Sequence, residues 1–327
     1  MARQETVIAH RHLTLQTDSV YLVGFASIRP EPQPGPDSQT GSQPDHPLDP
    51  DDCTGLAGLR QIEYPSPTRR SFTHSSSSRV SIEKASALVI RQADWSESSR
   101  VVTWFSREFG KLATIAKGAK RLKGPFEAAL DLLARCEVVI LRKSSGSLDI
   151  LTEAKLQKRF TPATNNLGHL YGGYYLAELL DGLCEEDQPH PRLFDAAIAT
   201  LDSLESEGNL ALTVAKFELE LLRDLGHLPE LELCVLCGQP LEQAAQYGVD
   251  LAAGGLCCPQ CVENSPSRRL IAASTRAVVL QLIAEGETTW QRLLLTSRQA
   301  SELRGLLNPL IAQLLGRRPK TLRYLPL

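Results

Sequence analysis

The sequence predicts an α+β protein with an N-terminal five-stranded β-barrel of the OB type, followed by an α-helical domain that carries a four-cysteine zinc module. Apolar and polar residues alternate in short runs across residues 81–160, a pattern typical of strands. Across residues 161–327 the apolar residues recur at helical spacings of three and four. Two Cys-x-x-Cys pairs interrupt the helical part at about residues 231–265, and 327 residues are enough for two or three domains.

Residues 1–80 are predicted to be a disordered extension that the folded protein does not need. The stretches RPEPQPGPDSQTGSQPDHPLDPDD and SPTRRSFTHSSSSR are dominated by Pro, Ser, Gly, Asp and Gln. Such a composition cannot bury enough apolar surface to offset the entropy of the chain. One apolar run, VYLVGFASI at residues 20–28, is long enough for a single strand.

The barrel prediction comes from five apolar runs that are separated by turn signals. Polar segments such as ADWSESSR and SSGS supply turns between the runs. Five strands in so short a stretch fit a small closed or partly open barrel. The predicted strands span residues 87–91, 101–106, 111–116, 137–143 and 148–155, with a short helical stretch near residues 126–133.

Amphipathic patterns beyond residue 160 predict five helices. Gly208, Asn209 and Gly226 mark breaks between the first three, because glycine and asparagine favour turns. The predicted helices span residues 167–183, 193–204, 210–225, 275–284 and 297–315.

Five of the eight cysteines crowd into one short segment of a chain without an export signal. In a reducing compartment such crowding indicates a metal site and not disulfides. Cys234 with Cys237 and Cys258 with Cys261 have the spacing of a four-thiolate zinc site. Four thiolates close the coordination shell, which favours one structural zinc ion over a catalytic one. Cys257 could compete as the fourth ligand, although only Cys258 keeps the two-residue gap.

The net charge of −3 conceals a strong segregation of charge along the chain. Residues 81–160 carry 15 basic and 9 acidic side chains, residues 161–263 carry 3 and 17, and residues 264–327 carry 10 and 3. A basic surface suits a polyanion such as nucleic acid, whereas the acidic middle is a poor DNA surface by itself.

A basic loop between Phe109 and Phe126 is the predicted nucleic-acid contact. Its sequence, GKLATIAKGAKRLKGP, has five cations and no acidic residue, and such cations neutralise phosphates without reading bases. Nearby aromatics could stack a base, although a solvated charge run and buried rings would explain the same letters. The candidate DNA-binding residues are Arg100, Lys111, Lys117, Lys120, Arg121, Lys123, Arg142 and Lys143.

The motifs of common enzyme classes are missing from the sequence. It contains no G-x-x-x-x-G-K-[ST], no G-x-G-x-x-G, no G-x-S-x-G and no H-E-x-x-H, so we expect a non-enzymatic protein with no catalytic residues. It also has no apolar run of 18 residues and no signal peptide. We therefore expect a cytoplasmic protein without a membrane partner.

Several stretches resemble the bacterial RecO family of DNA repair proteins. Residues 84–121 have the apolar strand, the acidic turn ending in Glu-Ser and the Ala-Lys-Gly-Ala phrase with which the family typically begins. LTEAKL, YYLAELLD and KFELELLRDLGHLPELELCVLCG continue the likeness in the family's order, over about residues 81–285. Residues 1–80 have no counterpart in the family, and Ser106 stands where threonine is usual.

The resemblance implies a mediator of recombinational repair that is associated with the nucleoid. Such a protein binds single- and double-stranded DNA, anneals strands and helps RecA to load onto DNA coated by single-strand binding protein. The implied partners are RecR, RecF in some members, and single-strand binding protein, with RecA acting downstream. The four cysteines and the basic loop are the residues to which these roles carry over.

Two functions of other kinds remain open at this point. An RNA-directed OB-fold and zinc protein of ribosome or tRNA metabolism would use the same basic loop and the same cysteines. A zinc-dependent nucleotide deaminase would need a His-x-Glu or Cys-x-Glu motif before its Cys-x-x-Cys. Here Cys261 and Glu263 have the right letters in the wrong order, which disfavours a deaminase.

Overall fold

The computed structural model describes residues 80–121, 126, 129–143, 148–163, 167–264, 269–284, 286 and 289–327. All of these residues belong to one unit of the chain, Phe72–Leu327. The predicted disordered extension at residues 1–80 lies outside the described residues except for Val80, and so does the apolar run at residues 20–28. The predicted domain boundaries therefore stay predictions.

Five strands form the first sheet, close to the predicted positions. They pair in the order β1-β2-β3-β5-β4, and β4 pairs back with β1, so that the sheet closes as a barrel. Strands β3 and β5 run parallel, and the other neighbours are antiparallel. The strands are β1 (Val80–Asp94), β2 (Arg100–Ser106), β3 (Gly110–Ala116), β4 (Arg135–Lys143) and β5 (Asp149–Lys158).

The length of β1 allows the sheet to close. Its first part pairs with β4 from Val80 to Leu88, and its second part pairs with β2 from Ala87 to Asp94. The pairing with β2 shifts register after Val89, and such an irregularity bends a strand. The sequence predicts only the apolar centre of β1, because most of the flanking residues are polar and exposed.

Apolar side chains fill the barrel interior. Trp104 is fully buried, and its Nε1 donates a hydrogen bond to Oγ1 of Thr114 at 2.9 Å. A buried indole needs such a partner for its N–H group. Around it pack Val89, Val102, Leu112, Val138, Ile140 and Leu151.

The segment predicted to be helical near residues 126–133 forms turns at its described residues. Leu133 has a φ of 66°, which no right-handed helix allows. Its N–H donates to the carbonyl oxygen of Val89 at 2.8 Å, and the N–H of Val89 donates to the oxygen of Ala134 at 3.1 Å. The backbone of this segment therefore pairs with β1 beside the register shift, a tertiary contact that a local pattern does not reveal.

Five helices follow the barrel, and the positions predicted for them are close. The first and last agree with the predicted bounds at both ends. Among the described helices, none has the length and apolar composition needed to cross a membrane. The helices are α1 (Leu167–Leu183), α2 (Pro191–Leu204), α3 (Leu210–Asp224), α4 (Ala273–Ile283) and α5 (Ser297–Leu315).

A second sheet, which the sequence does not predict, lies between α3 and α4. Its central strand β6 (Gln246–Asp250) pairs antiparallel with β7 (Gly255–Cys257) and β8 (Arg269–Ala272). Strands of three to five residues are too short for alternation to distinguish them from loops.

The barrel and the helices share one apolar core. Leu88 and Phe105 of the barrel belong to the cluster that α1 and α2 complete, and the rings of Phe105 and Phe194 lie 6.2 Å apart. Gly110 stands at the closest backbone approach, with a φ of +68°, and a Cβ there would lie 1.7 Å from the backbone oxygen of Gln188. Only glycine fits this position. The backbones of the barrel and of the helical part therefore pack directly against each other here.

Ion pairs also cross between the barrel and the helical part, which is where the opposite charges of the two segments meet. A single exposed pair contributes about 0–1 kcal/mol, but together the pairs favour one orientation. They join Arg91 to Asp181 at 3.5 Å, Arg107 to Asp195 at 3.0 Å, Arg135 to Asp202 at 2.8 Å, Arg142 to Asp187, and Lys158 to Asp202 at 2.7 Å and Glu205 at 2.5 Å.

A buried ion pair joins three helices. Glu218 of α3 is fully buried and accepts two hydrogen bonds from Arg304 of α5, at 3.0 and 2.7 Å, and one from the hydroxyl of Tyr175 of α1 at 2.7 Å. Burial, followed by the Glu218 charge, raises the pKa of Tyr175, so the phenol remains a donor. Burial alone would lower the pKa of Arg304, but the carboxylate outweighs it and the pKa is raised.

Replacing Glu218 by Gln should lower the free energy of unfolding by about 3–5 kcal/mol, because the guanidinium of Arg304 would remain buried without its counter-charge. Denaturant unfolding measures the change. The matched control replaces both partners, Glu218→Leu with Arg304→Met, and should cost far less since no unpaired charge remains. A Glu218→Gln variant as stable as the parent would contradict this account.

Candidate metal centre and nucleic-acid interface

The four predicted ligands meet at one point of the helical part. The Sγ atoms of Cys234, Cys237, Cys258 and Cys261 all lie within 4.8 Å of one another, and those of Cys237 and Cys258 are 3.9 Å apart. Thiolates bound to zinc at about 2.3 Å in a tetrahedron stand roughly 3.8 Å from each other. The donor set and its spacing therefore fit a four-thiolate zinc site.

Two tight turns aim these sulfurs at the common point. The N–H of Gly238 donates to the oxygen of Cys234 at 2.8 Å, and its φ of 72° confirms that the knuckle needs a residue tolerant of positive φ. In the second turn the N–H of Cys261 donates to the oxygen of Cys258 at 3.0 Å. The N–H of Cys258 also donates to Sγ of Cys234 at 3.3 Å, which joins the two turns.

The surroundings of the cluster lower the pKa of Cys234 and raise the pKa of Cys237 and of Cys261. Burial raises the pKa of Cys234, but the N–H groups of Cys258, Cys237 and Leu236 outweigh it and lower the pKa to about 6. The neighbouring sulfurs, with Cys258 the largest contributor, raise the pKa of Cys261 to about 12. Four thiolates this close repel one another, so full deprotonation of the cluster calls for a cation among them.

Cys257, the possible competing ligand, belongs to a different environment. It lies in β7, is fully buried, and pairs with Gly248 of β6. A Cβ on Gly248 would meet Sγ of Cys257 at 2.3 Å, so this thiol packs inside the second sheet. Cys258 supplies the sulfur that stands with the other three.

The candidate DNA-binding residues fall into groups that the sequence does not distinguish. Lys111 and Arg142 face the helical part: Nζ of Lys111 donates to the oxygen of Asp181 at 2.7 Å, and Arg142 pairs with Asp187. Arg142 also lies over the ring of Phe109, 5.3 Å from its centroid. These two cations are already engaged within the protein.

A second group surrounds one carboxylate on the barrel surface. Asp94 pairs with Arg100 at 3.2 Å and with Lys120 at 2.8 Å. The hydrogen bond from Lys120 has the largest effect on the pKa of Asp94; burial opposes it, Arg100 adds to it, and the pKa is lowered. The pairing of Lys120, together with its N–H bond to the oxygen of Ser98 at 3.1 Å, holds the basic loop against the turn after β1.

Three candidates remain unpaired within the described part of the chain. Lys117 and Arg121 are exposed on the basic loop, and Lys143 is half-buried at the end of β4; none of the three has an ion pair there. Lys123 lies outside the described residues.

Lys117 and Arg121 line a groove of about 430 Å³ together with Trp95. The side chain of Trp95 is 63% exposed, whereas Trp104 and Phe105 are buried in the core. Ser96, Ser98, Ser99, Ile115 and Gly118 complete the lining. An exposed indole in the same groove as two unpaired cations can stack a base while the cations neutralise phosphates. The sequence alone does not single out Trp95 from its aromatic neighbours.

Two family models match consecutive parts of the chain. "Recombination protein O N terminal" matches residues 80–160, and "Recombination protein O C terminal" matches residues 165–323. The first match covers the barrel, and the second covers the helices, the second sheet and the cysteine cluster.

Curated relatives carry the same family name. A DNA repair protein RecO of Rhodopirellula baltica is 35% identical over 266 residues, covering 73% of this chain and 97% of the relative. That of Anaeromyxobacter sp. strain K is 31% identical over 242 residues, covering 74% and 95%. That of Polaromonas sp. is 38% identical over 170 residues, covering 51% and 67%. The predicted resemblance is confirmed, nothing in the matches supports the RNA-directed alternative, and the chain belongs to the RecO family of DNA repair proteins.

Proposed function

We propose that this chain is a non-enzymatic DNA-binding mediator of recombinational repair, and that it binds single-stranded DNA in the groove beside Trp95. The exposed indole that shares this groove with two unpaired cations is the observation that carries the proposal. Family membership supports DNA as the ligand class.

The barrel is, by this proposal, an OB fold. Five strands in the order β1-β2-β3-β5-β4, with β4 returning to β1, make the Greek-key barrel on which OB proteins bind oligonucleotides. The groove lies where the turn after β1 meets the loop after β3, and the turn between β1 and β2 is one of the usual binding elements of this fold.

Each side chain of the groove has a distinct role in binding. Trp95 stacks a base through its exposed face, which tolerates any sequence because every base has a π-face. Lys117 and Arg121 neutralise the flanking phosphates and release counterions. The contact of Lys120 with Asp94 keeps the loop close to the indole before DNA arrives, so less ordering is needed on binding.

The partners follow from the family resemblance. We propose RecR, RecF as in some members, and single-strand binding protein as direct partners, with RecA loading onto DNA downstream, in a cytoplasmic, nucleoid-associated setting. Double-stranded DNA is a further ligand implied by the family resemblance, and its phosphates attract the same cations.

We also propose that the cysteine cluster holds one structural zinc ion. Cys234, Cys237, Cys258 and Cys261 would supply all four ligands, which leaves no position for a water molecule or substrate. The ion would stabilise the turns around the second sheet without taking part in a chemical step.

Purified protein should contain one zinc ion per chain, and Cys261→Ser should lose that ion and unfold at a lower temperature, because metal binding is coupled to folding. Elemental analysis and thermal unfolding measure the two effects. Cys257→Ser is the matched control, since its thiol lies in the sheet, and should keep the zinc. Metal-free protein obtained without any chelator would refute the proposal.

Replacing Lys117 and Arg121 together by Ala should reduce the log-log salt slope of single-stranded DNA binding by about 1.4, at about 0.7 for each lost phosphate contact. Trp95→Ala should weaken binding by about 1–3 kcal/mol, the usual loss for one stacked base. Fluorescence anisotropy across a salt series measures both.

The control for this experiment removes two other exposed cations, Arg192 and Arg298, from the helical part. It should leave the slope unchanged. If the groove variant also leaves the salt slope of DNA binding unchanged, the binding site does not lie in this groove of the barrel. RNA of matched sequence that competes better than DNA would restore the RNA-directed alternative.

A further inference from the structure

The C-terminal segment is fixed to α1 by one carboxylate. Glu178 accepts hydrogen bonds from the N–H of Lys320 at 2.8 Å, from the N–H and hydroxyl of Thr321 at 2.9 and 2.6 Å, and from Arg317 at 2.6 Å. Burial raises the pKa of Glu178, but these donors outweigh it and the pKa is lowered. Leu322 is buried in the core shared with the barrel. The segment is therefore an ordered element with a defined outer face.

That outer face is strongly basic. Arg318, Lys320 and Arg323 are exposed, and within the described part of the chain none of them has an ion pair with a carboxylate. Residues 303–327 contain no Asp or Glu, and Glu178 is already occupied by its four donors. The face thus carries three cations without internal compensation.

Two tyrosine rings and a guanidinium group stack beside these cations. The rings of Tyr171 and Tyr324 lie 4.9 Å apart at 17° to each other. The guanidinium of Arg323 lies 4.6 Å from the centroid of Tyr324 and donates to its hydroxyl at 2.6 Å. Tyr324 is 46% exposed, so the stack ends at the surface. Bases stack on aromatic rings and on arginine planes of this kind.

We propose that this tail surface, formed by Arg318, Lys320, Arg323 and Tyr324, is a second binding site for single-stranded nucleic acid, so that one chain holds two strands at once. It shares no residue with the groove beside Trp95. The inference rests on the proposed function for its ligand class only. Stacked tyrosine rings and a guanidinium plane beside uncompensated cations favour nucleic acid over an acidic peptide. The carboxylates of a peptide would pair with the cations but would have no use for the flat stacking surface, whereas bases would.

The test counts strands per chain by native mass spectrometry of the full chain with a short oligo-dT. The parent should bind two strands, the Lys117→Ala and Arg121→Ala groove variant one, and the triple variant Arg318→Ala, Lys320→Ala and Arg323→Ala one. Combining all five substitutions should leave none. Thermal unfolding should be unchanged in the triple variant, because the three side chains are exposed.

A charge-conserving variant separates stacking from simple attraction. Arg323→Lys keeps the charge but lacks the guanidinium plane, so it should weaken the second strand while leaving its salt slope unchanged. The triple variant removes the charges as well and should instead lose the second strand altogether.

Two results would overturn the inference: a parent that binds a single strand, or a triple variant that still binds two. A triple variant that loses affinity for an oligo-glutamate peptide but keeps both DNA strands would assign the tail surface to an acidic peptide, and would overturn it as well. A groove variant that keeps two strands would refute the barrel site alone, so the two proposals fail separately.

Discussion

The buried carboxylate of Glu218 is the constraint on which the helical part depends. It lies between two apolar clusters to which α3 contributes opposite faces, Phe217 and Leu221 on one side and Leu219 and Leu222 on the other. A buried charge must be paired and hydrogen-bonded, and only one arrangement of α1, α3 and α5 brings Tyr175 and Arg304 to it together. Since Glu178 of α1 also holds the C-terminal segment and Asp181 of α1 pairs with Arg91 of the barrel, the placement of α1 positions the tail surface and one contact with the barrel.

Charge complementarity then decides which cations are left for a ligand. The acidic middle of the chain is a poor DNA surface, but its carboxylates have a partner within the protein: the basic barrel. Arg107, Arg135 and Lys158 each pair with carboxylates of α2 or its C-terminal end. Because these contacts occupy one side of the barrel, the net charge of the segment overstates the charge available to nucleic acid. Among the cations without an ion pair in the described part of the chain, Lys117 and Arg121 share a groove with the exposed Trp95, and Arg323 lies against the exposed ring of Tyr324.

The cysteine cluster likewise joins separate segments of the chain. The second sheet has three short strands, whose buried side chains pack into the same apolar cluster as residues of α3, α4 and α5. The four cysteines lie in the turns beside this sheet and at its edge. An ion held by the four sulfurs, as proposed, would fix the two turns to each other.

The sequence by itself determined the class of fold, the five strands of the barrel, the five helices and the four clustered cysteines, because periodicity and ligand spacing are local properties of the chain. It did not determine the second sheet, whose strands are too short, or the turn at Leu133, which depends on a backbone bond to Val89. It also did not show which candidate cations are paired within the protein and which are not. Arg142 and Asp187 are 45 residues apart, and nothing local in the sequence indicates that they meet. Tertiary structure decided which charges are neutralised and which aromatic rings are exposed, because both depend on contacts between residues that only the folded chain brings together.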